Sequence, residues 1–314
     1  MIPATAHFIW FGTELPFIYM VGIRSAAVRG GFETVVLHHA DDLSGTPHWD
    51  YLQRTPNFEA RRLRPDALPE MHGDLGRRLL SLFGELEKPA ARANLMRAAI
   101  LAHEGGVYLD TDTITWRDLT PLRRGAAVFC GDEHIALPGE VKNGRHPLRW
   151  ARAGVQMGVR DLFRRLPGGW RPFRTFEQRM PKAVNNAVFG CEAKHPFVMG
   201  LLQRMVDMPQ ARRRIRFALG THLLQTRVAE YTGPDLVVHP PSAFYPLGPE
   251  VSQHWFRQGT AQSLDQMIFN DTYVIHWYAS VRTKAVVPTL DPATIGAQAE
   301  GNALCRAAAR FLDD

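Results

Sequence analysis

The sequence predicts an α/β fold built on an open, mainly parallel sheet flanked by helices, a Rossmann-type arrangement, and three observations carry that reading. Short apolar runs alternate with helical stretches from the N-terminus to Asp112. Most of these runs are apolar on both faces, as befits buried parallel strands. Residues 91–112, ARANLMRAAILAHEGGVYLDTD, join a helix, a double-glycine stop, a strand and two carboxylates in one continuous unit.

Taken in order, residues 6–11 (AHFIWF, then Gly12) read as the first strand, with Trp10 at its end suited either to a core or to stacking on a nucleobase. A helix over roughly 16–29 leads to a second strand at 32–38 and the polar stretch His39-Ala40-Asp41-Asp42 at the sheet edge that faces a ligand, where Asp41 or Asp42 either makes a turn or reaches a ribose. A third strand follows at 58–63 and a helix at 68–86. In the central helix, LMRAAILA is apolar on every face except at Arg97, so the helix is buried and the guanidinium needs a carboxylate or phosphate partner. Asn94 shares the face of Arg97, three residues earlier. Gly105 permits a left-handed cap, and Val107-Tyr108-Leu109 forms the next strand. Residues two apart on an extended chain face one side, so Asp110 and Asp112 converge while Thr111 turns away. Convergent carboxylates off a strand end suit a divalent cation that holds a phosphate.

Beyond that point, residues 126–130 read as a strand with Gly131-Asp132-Glu133 at its end. Residues 137–180, rich in Gly, Pro, Arg and Trp, read as a helical or irregular insertion that serves as a lid or the acceptor side. A strand at 183–190 carries Asn185 and Asn186, which suit either sugar hydroxyls or a turn, and a helix starts at His195. Residues 271–280 hold a last strand and then His276-Trp277, and 281–314 read as a closing helix after a single catalytic domain over 1–280.

With 45% hydrophobic and 22% charged residues in a chain of 314, the composition is that of a globular enzyme with a full core. No apolar run approaches a membrane span, the N-terminus enters a strand at once, and three scattered cysteines suggest neither a disulfide framework nor a zinc site, so a cytoplasmic location is expected. The net charge of +6 draws on runs such as Arg212-Arg213-Arg214, which read as a solvated helix face and leave room for an acidic or nucleic-acid acceptor. The chain lacks GxxxxGK[ST], GxGxxG after a strand, HExxH, CxxC and GxSxG, the local signatures of ATPases, dehydrogenases, zincins, zinc ribbons and serine hydrolases.

The string from Arg97 through Gly105-Gly106 to Tyr108-Leu109-Asp110-Thr111-Asp112 resembles the DXD-containing sugar-binding region of a glycosyltransferase family. That family includes the initiating mannosyltransferases of the fungal Golgi, capsular polysaccharide enzymes and, more distantly, the large clostridial glucosylating toxins. The opening Pro-His-Ile-Trp-Gly pattern, the Asn-containing strand before His195-Pro196-Phe197, the Thr-Gly-Pro and Phe-Tyr-Pro landmarks and His276-Trp277 with Ser280 extend the resemblance in patches over 2–280. Two positions depart from the family: Asn94 stands where an Asp is usual, and Val281 where a second Trp is.

The resemblance implies a GT-A-like fold and a metal-dependent, retaining transfer of a hexose from a nucleotide-sugar, with UDP favoured, to a hydroxyl acceptor. It implies Mn²⁺ or Mg²⁺ as cofactor, held by Asp110, Asp112 and His276, with Asp110, Asp112 and Arg97 as the catalytic set. Donor contacts are then expected from Trp10, Phe11, Asn94, Arg97, Tyr108, Asp110, Asn185, Asn186, Trp277 and Ser280. Two alternatives stay open: the same donor chemistry on a modified base of DNA or RNA, and a non-catalytic nucleotide- or carbohydrate-binding protein on the same scaffold.

Overall fold

A computed structural model describes residues 1–68, 72–137, 146–281 and 283–312. Strands β1 (Thr5–Trp10), β2 (Thr34–His39), β3 (Phe58–Arg62) and β4 (Gly106–Leu109) pair in parallel. A short β5 (Thr113–Thr115) leaves that sheet, while β6 (Val128–His134), β7 (Lys182–Cys191) and β8 (Leu236–His239) complete it in the order β3-β2-β1-β4-β7-β6-β8. β7 is antiparallel to both of its neighbours, so β6 and β8 run with β4. Far along the chain, β9 (Val274–His276) pairs antiparallel with β5 in a separate two-stranded sheet.

The central strands are apolar on both faces because helices cover both. Val107 and Leu109 of β4 enter one core with the Phe17–Arg29 helix, while Tyr108 enters a second core with the Gly73–Glu85 and Pro89–Glu104 helices. From β1 the chain steps outward to β2 and β3, and the Pro89–Glu104 helix then returns it to β4 on the opposite side of β1. This reversal makes the C-terminal ends of β1 and β4 the switch point of the sheet, where open α/β folds bind ligands.

The double glycine between helix and β4 has a steric cause. Gly105 and Gly106 have φ of 68° and 98°. A Cβ on Gly106 would lie 2.6 Å from the Thr5 carbonyl oxygen and 2.9 Å from His7 Nε2, and one on Gly105 would lie 2.7 Å from Ala193 N. Glycine therefore lets β4 enter beside β1.

The expectation of one closing helix after 280 is corrected, and two other segments take a definite form. The described part of 137–180 is largely helical, forming helices Pro147–Arg165 and Trp170–Glu177, while 138–145 lie outside the described residues. Ala153, Gln156, Trp170 and Phe173 are buried on these helices, a sparse stripe that the surrounding Gly and Arg conceal in the sequence. The segment after 280 holds two short helices, Pro292–Gln298 and Ala303–Ala309, because the Asn302 side chain accepts from Cys305 N at 3.0 Å and starts the second. Residues 282, 313 and 314 of that segment, and 69–71 of the helix expected at 68–86, also lie outside the described residues. Asp41 and Asp42 build a turn, accepting from Gly12 N at 2.8 Å and Ser44 N at 2.9 Å. No helix among the described residues is long and apolar enough to cross a membrane.

Candidate active site

Asp110 leaves the end of β4 under tight control. Its backbone N–H donates to the Ala187 carbonyl at 2.8 Å, and its carbonyl accepts from Thr113 Oγ1 at 2.7 Å. The turn that follows rests on the Phe17–Arg29 helix at Gly22, where a Cβ would lie 2.4 Å from the Thr113 carbonyl oxygen. Arg97, with 7% of its side chain exposed, donates from Nη2 to Asp110 Oδ1 at 2.7 Å and from Nη1 to the Asn186 carbonyl. Its guanidinium stacks 3.9 Å above the Tyr108 ring, and the Tyr108 hydroxyl donates to the same Asp110 oxygen at 2.8 Å. The buried cation thus meets the carboxylate its burial demands.

Asp112 is held by the far end of the chain. Pairing of Thr113 with His276 places His276 Nε2 3.1 Å from Asp112 Oδ1. Tyr278 then adopts φ of 57°, and the turn it makes aims the Ala279 N–H at Asp112 Oδ2, 2.8 Å away. Burial opposes charge on both partners, yet the His276 imidazole holds the Asp112 carboxyl below its ordinary value and Asp112 holds His276 above its own.

Ligand atoms from Asp110, Asp112 and His276 all lie within 4.8 Å of one another. Two carboxylates and an imidazole are a donor set suited to Mn²⁺ or Mg²⁺, and Asp110 Oδ2 carries no protein hydrogen bond among the described residues. His276 Nδ1 is buried without a partner among those residues, so the ring is oriented by its hydrogen bond to Asp112 and by packing on Tyr278, with ring centroids 4.1 Å apart. These residues fit a divalent cation.

Around this centre opens a cleft of about 1400 Å³. Trp10, Phe11, Asn94, Arg97, Tyr108, Asp110, Asp112, Asn185, Asn186, His276 and Ser280 all line it. A register shift between β6 and β7, beside the Gly131–Asn185 pair, explains how two successive asparagines both reach the cleft. Asn186 Nδ2 donates to Asn94 Oδ1 at 2.9 Å, and Asn185 Oδ1 accepts from Ala187 N at 2.8 Å. Trp10 packs against Tyr19 with ring centroids 5.1 Å apart, and its Nε1 donates to the Glu14 carbonyl at 3.0 Å.

Trp277 departs from the expected set. Its side chain is fully buried, stacked on Tyr19 at 5.5 Å, and does not line the cleft, because strand alternation after His276 turns it into the core. Glu133 is a cleft residue to which the sequence reading gave no role. Burial pushes its carboxyl up, opposed in part by hydrogen bonds from Tyr278, whose hydroxyl lies at 2.7 Å, and Asn185. Its place near the C-terminal end of a strand parallel to β4 is the signal that marks it.

Residues 38–129, under a third of the chain, match the family model described as the glycosyltransferase sugar-binding region containing the DXD motif. No curated protein sequence matches the chain. Among solved structures, the chain is similar to the PaToxG glycosyltransferase at 14% identity, covering 73% of this chain and 69% of that one with a TM-score of 0.46. It is also similar to mouse xyloside xylosyltransferase 1 at 13% identity, covering 88% and 98% with a TM-score of 0.43. A third similar structure is the UDP-bound glycosyltransferase domain of the YGT toxin, at 11% identity, covering 65% and 61% with a TM-score of 0.35. Residues 38–129, which carry the Asp110–Asp112 turn, are similar to the sugar-binding region of DXD-containing glycosyltransferases.

Proposed function

We propose that the protein is a metal-dependent, retaining glycosyltransferase that moves a hexose from a nucleotide-sugar, a UDP-sugar in the first instance, to a hydroxyl acceptor. The observation that carries this reading is the convergence of Asp110, Asp112 and His276 at the switch point of the main sheet. Those three residues would hold the cation, which when bound offsets charge developing on the leaving nucleoside diphosphate. Arg97 acts through Asp110, because its fork is already engaged by that carboxylate and the Asn186 carbonyl. The half-exposed ring of Trp10 suits a nucleobase, and the amides of Asn94, Asn185 and Asn186 suit sugar hydroxyls. Ser280 sits on the turn that binds Asp112, so the end of the chain closes the donor side. Retention at the anomeric carbon follows the family resemblance.

A panel of UDP-glucose, UDP-galactose, UDP-N-acetylglucosamine and GDP-mannose, incubated with Mn²⁺ or with EDTA, tests the reading through nucleotide release and the anomeric configuration of the product. Release from a UDP-sugar only in the presence of metal is expected. Release unaffected by EDTA removes the cation from the mechanism. Donor binding without any release favours the binding-protein alternative.

A further inference from the structure

We propose that one wall of the cleft is an acceptor subsite for a multiply anionic sugar chain, an inference that rests on the glycosyltransferase reading of the donor centre. Three segments build the wall. Arg149 and Arg152 of the Pro147–Arg165 helix line the cleft together with Ala153 and Gln156, a spacing that places one helical face toward it. Lys182 opens β7, three residues before Asn185 and so roughly 10 Å along the strand from the donor side. Arg212 and Arg216 line the cleft from the segment leading to Gly220, where a Cβ would lie 2.7 Å from Asn94 Nδ2.

These five exposed cations form no ion pair among the described residues. On other surfaces Arg61, Arg78 and Arg204 each pair with a carboxylate whereas, among the described residues, Arg29, Arg64 and Arg306 do not, so the gathering of five cations around one cleft is what sets this surface apart. The carboxylates of the cleft do not neutralise the wall, since Asp110 meets Arg97, Asp112 meets His276 and Glu133 accepts from Tyr278. Nor does the donor account for it: a nucleotide-sugar brings one diphosphate, which the cation at Asp110, Asp112 and His276 faces. Like charges gathered along one concave wall repel and raise the local concentration of anions, so the wall fits a ligand with several negative groups.

The chemistry beside the cations identifies that ligand as a sugar chain. Gln156, Thr221, Gln225 and Thr226 also line the cleft and suit hydroxyl groups, and the transfer itself needs an acceptor hydroxyl. A single-stranded nucleic acid needs a row of aromatic platforms. Among the described residues in that part of the cleft, Phe217, 50% exposed, has the Arg216 guanidinium 4.6 Å above it and the His222 ring edge-on at 6.1 Å, one occupied cluster rather than a row of open platforms.

The test measures calorimetric binding of a heparin hexasaccharide, a neutral dextran hexasaccharide and a single-stranded hexadeoxynucleotide, each at low and moderate salt. Three proteins are compared: the wild type, the cleft variant Arg149→Gln/Arg152→Gln/Arg212→Gln, and a charge-matched control at the exposed positions Arg29→Gln/Arg64→Gln/Arg306→Gln. Binding of UDP with Mn²⁺ and the melting temperature are recorded for each. The wild type should bind the heparin fragment in a salt-sensitive manner and bind dextran far more weakly, with about tenfold or greater weakening in the cleft variant and little change in the control. Lys182→Gln, as a single change, should weaken binding in the same direction. Equal weakening in both triple variants, equal affinity for dextran, or tighter binding of the oligonucleotide would each overturn the proposal. Loss of UDP binding in the wild type would instead strike the donor reading, and the saccharide measurements would stand apart from it.

Discussion

Asp110 gives one carboxylate oxygen to Arg97 and Tyr108, whereas both oxygens of Asp112 meet the turn at the end of the chain. Substitution should therefore separate the two. Asp112→Asn keeps the hydrogen-bonding shape and removes a charge from the cation site, so Mn²⁺-dependent donor binding and turnover should both fall by two orders of magnitude or more, at about the wild-type melting temperature. Titration of Mn²⁺ and UDP into the variant checks this, and near-normal affinity would remove the centre of the proposed mechanism. Asp110→Ala strands the buried guanidinium of Arg97 and should cost about 3–5 kcal/mol in denaturant unfolding, a loss that Asp112→Asn should not show. Glu133 gives the opposite pattern. Its buried carboxyl is pushed up, so Glu133→Gln, which still accepts from Tyr278, should leave stability equal or higher while turnover drops about tenfold. Unchanged turnover would make Glu133 a tolerated buried acid with no part in the reaction.

At the scale of elements, the site depends on how closely the Phe17–Arg29 helix approaches the Asp110–Asp112 turn. Gly22→Ala would place a methyl 2.4 Å from the Thr113 carbonyl oxygen and 2.8 Å from that of Thr111. Helix and turn must then separate, with an expected loss of roughly 1–3 kcal/mol in stability and a larger proportional loss in Mn²⁺-dependent donor affinity. A variant that loses stability yet binds donor normally would show that the turn keeps its shape without the helix behind it. The sequence made β1, β2 and β4 legible because strands buried on both faces must be apolar throughout, and it made Arg97 legible because a charge in such a helix needs a partner. The pairing of β5 with β9 was not legible: Thr113 meets His276 across about half of the chain, and three-residue strands carry no periodicity. The same gap explains Trp277, whose direction depends on that pairing. The bounds of the helices within 147–177 were not legible because their buried stripe is sparse.

For the molecule as a whole, the proposed donor site stands on the seam between β1 and β4, and a buried histidine pair closes that seam from below. His7 and His38 face each other with Nδ1 to Nε2 at 3.1 Å, and His7 Nε2 donates to the Gly105 carbonyl at 3.0 Å, tying β1 to the glycine turn that starts β4. Both rings are almost fully buried. Burial lowers the His7 pKa from 6.5 to about 4, and burial together with the neighbouring His7 lowers that of His38 further. The sign follows directly. Each group binds a proton more readily in the unfolded chain, so its contribution to stability is complete above pH 6.5 and is lost as pH falls toward the folded value. One group shifted this far forfeits about 2 kcal/mol by pH 5. Urea unfolding at pH 7.5 and pH 5 should therefore show a marked loss in the wild type. His38→Gln retains an N–H for His7 Nδ1 and cannot titrate, so its loss over the same interval should be smaller by about 2 kcal/mol, although its stability at pH 7.5 falls below that of the wild type. Groups remote from the pair are common to both proteins, which leaves the difference between the two pH dependences as the quantity that decides. Equal slopes would mean that the histidine pair is not what couples acid to the opening of the β1–β4 seam.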